Sequence, residues 1–126
     1  MRTFIRTLIV SLSFSFLVAC GGSPIGKALD HEKAMLKIVE ANKDDGDKAK
    51  AELEKYVTDH KAELDQVKAD MEKLKNEIKD DESKAMSMMI DHASAIQENE
   101  TLKDSLRTSK AYDNDDVRKL LRMVDM

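Results

Sequence analysis

Three sets of residues in this 126-residue chain carry side chains capable of chemistry: its three histidines, a methionine cluster and its single cysteine. Each histidine follows an aspartate, as Asp30-His31, Asp59-His60 and Asp91-His92. Adjacent helix residues do not face each other, so these are not Asp–His relays within one chain. A parallel oligomer could gather copies of His60, or of His92, for metal binding or acid sensing. The plainer reading outweighs it: polar residues in a helix seam fix register and oligomer number. Met86-Ser87-Met88-Met89 offers soft thioether ligands or an adaptable binding face. Helical spacing puts Met86 and Met89 on one side, so an ordinary packing face is expected there and no metal is assigned. Cys20, alone, excludes a disulfide framework and a cysteine-based metal site. No glycine-rich phosphate loop occurs, no His–Ser or His–carboxylate set recurs at useful spacing, and a narrow helical rod offers no dry pocket. The chain is therefore expected to have no catalytic residues, to be no enzyme and to need no dissociable cofactor.

The elements that position these residues are unevenly distributed. All three phenylalanines, Phe4, Phe14 and Phe16, lie in the first 20 residues, and nearly all the charge follows them. Arg2 and Arg6 form a basic n-region, Thr7 to Val18 an apolar stretch interrupted only by Ser and Thr, and small residues lead to Cys20. That stretch falls short of the ~20 residues a membrane-spanning helix needs, so a secretory signal is favoured over an uncleaved anchor.

Leu17-Val18-Ala19-Cys20 resembles the lipobox of bacterial lipoproteins, and Gly21-Gly22-Ser23-Pro24 resembles the flexible tether that follows it. Val18 is tolerated rather than favoured at its position in that motif. The resemblance implies a diacylglyceryl thioether on the Cys20 sulfur, cleavage before Cys20, and usually N-acylation, giving a stable anchor. Gly21 in place of Asp implies the outer membrane in a Gram-negative cell, with the body in the periplasm or at the cell surface. Cleavage would remove Arg2 and Arg6, taking the basic residues from 21 to 19 against 25 acids and the net charge from −4 to −6. Such a body gives no support for nucleic-acid binding and is expected to stand off anionic lipid.

From Lys27 to Met126 there is no proline and one glycine, Gly46, and the composition favours helix throughout. A first helix is expected from about Gly26 to Asn42, with Leu29, Met35, Leu36, Ile38 and Val39 as its stripe. Gly46 would then make a left-handed turn and Asp47 a cap. The clearest pattern follows: Leu53, Val57, His60, Leu64, Val67, Met71, Leu74 and Ile78 keep a 4-3-4-3-4-3-4 spacing. That is a coiled-coil seam. Acidic Glu63, Asp70 and Glu77 on one flank and Lys61, Lys68 and Lys75 on the other favour a parallel homo-oligomer.

Past Ile78 two paths remain open. Asp81 or Ser83 could cap a third helix running to about Ser109, or the helix could continue; lacking Gly or Pro, the continuous helix is preferred. It would make a rod of ~95 Å from residue 47 to 109. Tyr112-Asp113-Asn114-Asp115 should cap a last helix bearing Val117, Leu120, Leu121 and Val124.

The expected fold is thus all-α: a long helix or helical hairpin with a heptad seam and short flanking helices. Residues 1–19 form the signal peptide, 20–25 the lipidated cysteine and tether, and 26–126 the helical coiled-coil body. In plan it resembles the murein lipoprotein family, though the body is about twice as long and ends in Asp125-Met126 rather than the wall-linking lysine. The expected role is a lipid-anchored coiled-coil spacer or tether of the envelope, its partners the membrane and either further copies or a helical envelope protein. The alternatives are a compact helical-hairpin accessory subunit or inhibitor, using the Met-rich segment and the Val117–Val124 face, and, more distantly, a periplasmic metal-binding protein.

Overall fold

A computed structural model describes residues 23–124; Cys20 and the remainder of residues 1–22 lie outside it, as do 125 and 126. Every element among the described residues is helical. The first, α1 (Pro24–Ala41), begins two residues earlier than its apolar stripe requires. Ser23 accepts a hydrogen bond from the Gly26 amide at 3.2 Å, and Pro24 occupies the first turn, where its missing N–H costs nothing. Asn42 ends it by leaving helical geometry, and its side-chain amide donates to the Ile38 carbonyl (2.9 Å) and to Glu52 (2.6 Å).

The next helix, α2 (Gly46–Asp59), is capped by Asp45, which accepts from the Lys48 amide at 3.1 Å. Asp47 is therefore not the cap. Gly46 makes no left-handed turn either, since no described glycine has positive φ. Its role is proximity: a Cβ at Gly46 would lie 3.2 Å from Cβ of Asn114.

After α2 the chain bends at His60 (φ −108°, ψ 16°) and continues as α3 (Lys61–Ile78). A turn at Lys79-Asp80-Asp81 leads to α4 (Glu82–Asp91), then a second bend at His92 leads to α5 (Ala93–Leu106). Two short helices, α6 (Lys110–Asp113) and α7 (Asp115–Leu121), and a 3-10 turn (Arg122–Val124) finish the described chain. The Asn114 carboxamide caps α7, accepting from the Asp116 and Val117 amides.

The long continuous helix does not form. No described helix exceeds 18 residues, and the chain reverses after Ile78 without glycine or proline. The Asp81 carboxylate accepts the Lys84 amide at 3.0 Å while its own N–H donates to the Ile78 carbonyl. A side-chain cap thus does what a glycine would otherwise do.

α1 is the hub of the fold, with α2, α3, α5 and α7 packed around it. The main core joins Met35, Leu36 and Val39 of α1 to Ala49 and Leu53 of α2, Leu106 of α5, and Val117, Leu121 and Val124. A smaller core at the other end joins Ile25 and Leu29 to Leu74, with Met71, Ile78, Met88, Ala95 and Ile96 around it. All eight heptad positions from Leu53 to Ile78 are buried or half-buried; Leu53, Val57 and Leu64 join the main core and Met71, Leu74 and Ile78 the smaller one, both of which include residues of α1. α1 is ~27 Å long, whereas an unbroken α2–α3 helix would reach ~50 Å. The bend at His60 lets both halves lie along it.

Polar ties hold α5 to α1. The Asn99 side chain, 3% exposed, donates to the Leu29 carbonyl at 3.0 Å. Lys33 pairs with Glu98 at 3.0 Å, and Lys103 reaches the buried Glu32 at 3.3 Å. Asn99 belongs to an Asn-Glu-Thr sequon, but its amide is spent inside the fold.

Candidate functional site

Helical spacing places His31 on the inward stripe of α1, three residues after Ala28 and four before Met35. The bend at the α2–α3 junction turns His60 toward it. The two rings lie 5.8 Å apart, centroid to centroid, with Tyr56 4.2 Å from His60 and 5.9 Å from His31. His31 Nδ1 is 2.6 Å from the Tyr56 hydroxyl. Glu63, one turn into α3, faces both rings: Oε2 lies 3.7 Å from His31 Nε2 and 3.4 Å from His60 Nδ1. A neutral His31 with its proton on Nε2, toward Glu63, accepts the Tyr56 hydroxyl proton at Nδ1.

Burial pulls the His31 pKa below its ordinary value of 6.5; Glu63 and Asp30 oppose that shift and the nearby His60 adds to it. Burial, then Glu63 and Asp30, push Tyr56 up to about 12. The cluster therefore favours a neutral imidazole beside a protonated phenol. It forms a polar knot between α1 and the α2–α3 bend, with the Glu63 carboxylate half exposed at its edge.

Sequence spacing pairs His60 with its own copy in a neighbouring chain; the fold pairs it with His31 and Tyr56 of the same chain. A signal for His31 existed in the 28-31-35 spacing, which puts it on the apolar stripe, but nothing in the pattern of α1 names the α2–α3 bend as its partner. His92 stands apart, its Nε2 2.8 Å from the Ser23 hydroxyl. Among the described residues no group of three or more His, Cys, Asp or Glu is arranged to hold a metal.

The methionine cluster is placed differently again. α4 contributes Met88 to the smaller core, while Met86, Met89 and Ile90 are 66%, 55% and 68% exposed. Spaced i, i+3, i+4, these three form one apolar face turned away from α1. The expected packing face thus lies on the Met88 side alone. Val117, Leu121 and Val124 are buried in the main core, so the C-terminal face assigned to partner contact in the hairpin reading is already occupied. No described helix is long and apolar enough to cross a membrane.

No protein family, curated protein or solved structure matches this chain. The seam residues are accounted for by α1, the histidines by an interhelical polar knot and by Ser23. Cys20, the residue expected to carry lipid, lies outside the described residues. Among the described residues, the large apolar side chains left exposed are Met86, Met89 and Ile90, grouped on α4, and Met123.

Proposed function

We propose that this chain is a lipid-anchored, non-catalytic interaction protein of the bacterial envelope. Its compact helical body is held close to the membrane by Cys20. The reading joins two supports: the lipobox-like Leu17-Val18-Ala19-Cys20 run, and a body whose heptad seam is covered by its own α1. The second support carries the choice between roles. A spacer rod needs a seam that is free to meet another chain. Here Leu53, Val67 and Leu74 are already buried within one chain, and Glu63 faces His31 and His60 rather than a neighbouring Lys68. The accessory-subunit or inhibitor role therefore ranks above the spacer.

The test is expression of the full chain, with its leader, in a bacterial host. Fatty-acid labelling should be incorporated, the protein should float with membranes, and Cys20→Ser should abolish both. A label-free protein that stays in the aqueous fraction would end the proposal.

A further inference from the structure

The exposed face of α4 sits beside the point where the anchor must leave the body. Ser23 is the first described residue, and its hydroxyl is 2.8 Å from the ring of His92, which follows the last residue of α4. Gly26, one turn into α1, is also close to that ring: a Cβ there would lie 3.6 Å from His92 Cε1. Only Gly21 and Gly22 separate Ser23 from Cys20, so a fully extended chain could carry the sulfur no more than ~13 Å from Ser23. α4 itself is ~15 Å long, with Met89 and Ile90 at its His92 end.

We infer that Met86, Met89 and Ile90 rest on the surface of the lipid bilayer that holds the acyl chains on Cys20, an inference that rests on the lipoprotein reading above. A two-residue tether cannot lift the His92 end of the body clear of the headgroups, so this end of the molecule faces lipid whatever the remainder does. The side chains presented there suit that position. Met88 packs into the smaller core, while Met86, Met89 and Ile90 are exposed. An interfacial helix buries its apolar face ~5–10 Å into the headgroup boundary, about the depth of a methionine side chain. Methionine also adapts its shape to an irregular surface.

Charge selects the kind of lipid. From Lys79 to Asp91 two lysines stand against four acids, Asp80, Asp81, Glu82 and Asp91, leaving this segment net negative. A surface of net-neutral headgroups fits it, and an anionic one repels it. The body as a whole is acidic and favours standing off charged lipid, while α4 supplies the contact that a zwitterionic surface accepts.

The chain contains no tryptophan, so a tryptophan introduced at one position reports that position alone. Met89→Trp is made in the full-length, lipidated protein at an exposed site, and Asp44→Trp at the exposed turn after α1. α1 is ~27 Å long, so that turn lies at the far end of the molecule from Ser23. Both variants are reconstituted into phosphatidylcholine vesicles, with and without bromine-labelled acyl chains.

The expected result is a blue-shifted tryptophan at position 89 that loses roughly half its emission to the brominated lipid, against little change at position 44, as interfacial insertion requires. Raising the anionic lipid fraction should reduce the quenching at 89. Equal, unshifted emission from both positions in protein that floats with the vesicles would overturn the inference. A blue shift at 89 without bromine quenching would also overturn it, because a second copy would then be covering the face. Protein that neither floats nor carries lipid by intact mass would sink the lipoprotein reading and this inference together, an outcome that flotation separates from the other two.

Discussion

At the scale of single residues, the His31–Tyr56–His60–Glu63 knot links this protein's stability to pH. The folded chain holds His31 below 6.5 by burial, so between the folded and unfolded pKa values the unfolded chain binds more protons. Stability is then full above pH 6.5 and falls as pH drops through the lowered His31 value. Tyr56 acts at the other end. Its pKa of about 12 exceeds the ordinary 10, so its contribution is full below pH 10 and lost as pH rises through 12. Urea midpoints measured across pH should show an acid limb that flattens in His31→Gln. Tyr56→Phe should remove the alkaline limb and cost about 1 kcal/mol at neutral pH, the usual worth of one buried hydrogen bond. An acid limb unchanged in His31→Gln would show that another group drives it. Leu53→Ala, at a fully buried core position, should cost about 2–5 kcal/mol by the same measurement.

At the scale of elements, two glycines separate helix propensity from packing. Both stand in the first turn of a helix, and neither has positive φ. A Cβ at Gly26 meets only ordinary contacts, Ser23 Oγ at 3.5 Å and His92 Cε1 at 3.6 Å. Gly26→Ala should therefore stabilise by up to ~1 kcal/mol. At Gly46 the Cβ would press on Asn114 at 3.2 Å, and Asn114 cannot retreat without loosening the cap of α7. Gly46→Ala should lose about 1 kcal/mol despite the better propensity. Denaturation of the two variants side by side checks the opposite signs.

The same elements mark how far the sequence could be read. Helical class follows from composition, and the Leu53–Ile78 edge from its spacing, because both are local properties. The Asn114 cap is legible for the same reason. The role of Gly46 is not, since Asn114 lies 68 positions away in the chain. Nor are the bends at His60 and His92: neither carries glycine or proline, and the contacts made there, with His31 and Ser23, come from residues remote in the chain. The turn at Asp81 is legible only as one of two choices: aspartate favours a cap, but its modest cost inside a helix does not force a break.

At the scale of the whole molecule, the question is which helix covers the seam. A heptad repeat specifies a narrow apolar edge and says nothing of whether its cover comes from the same chain. Here α1 supplies it, antiparallel to α2–α3, and its own stripe is covered in return by α5 and α7. Opening that arrangement to form a rod would expose Met35, Leu36 and Val39, all fully buried, before any contact with a second copy formed. At ~25 cal/mol per Å² of apolar surface, that exposure opposes exchange strongly at the dilute concentrations of a solution experiment. A 21–126 fragment should therefore sediment as a monomer with a radius of gyration of about 13 Å, the value expected of a compact chain this size. Leu64→Cys, at the centre of the seam, should give no crosslinked dimer under oxidation, since the half-buried position faces the main core of its own chain. Efficient crosslinking at 64, with an elongated scattering profile, would mean that α1 leaves the seam in solution, and the spacer role would regain its claim over the compact one.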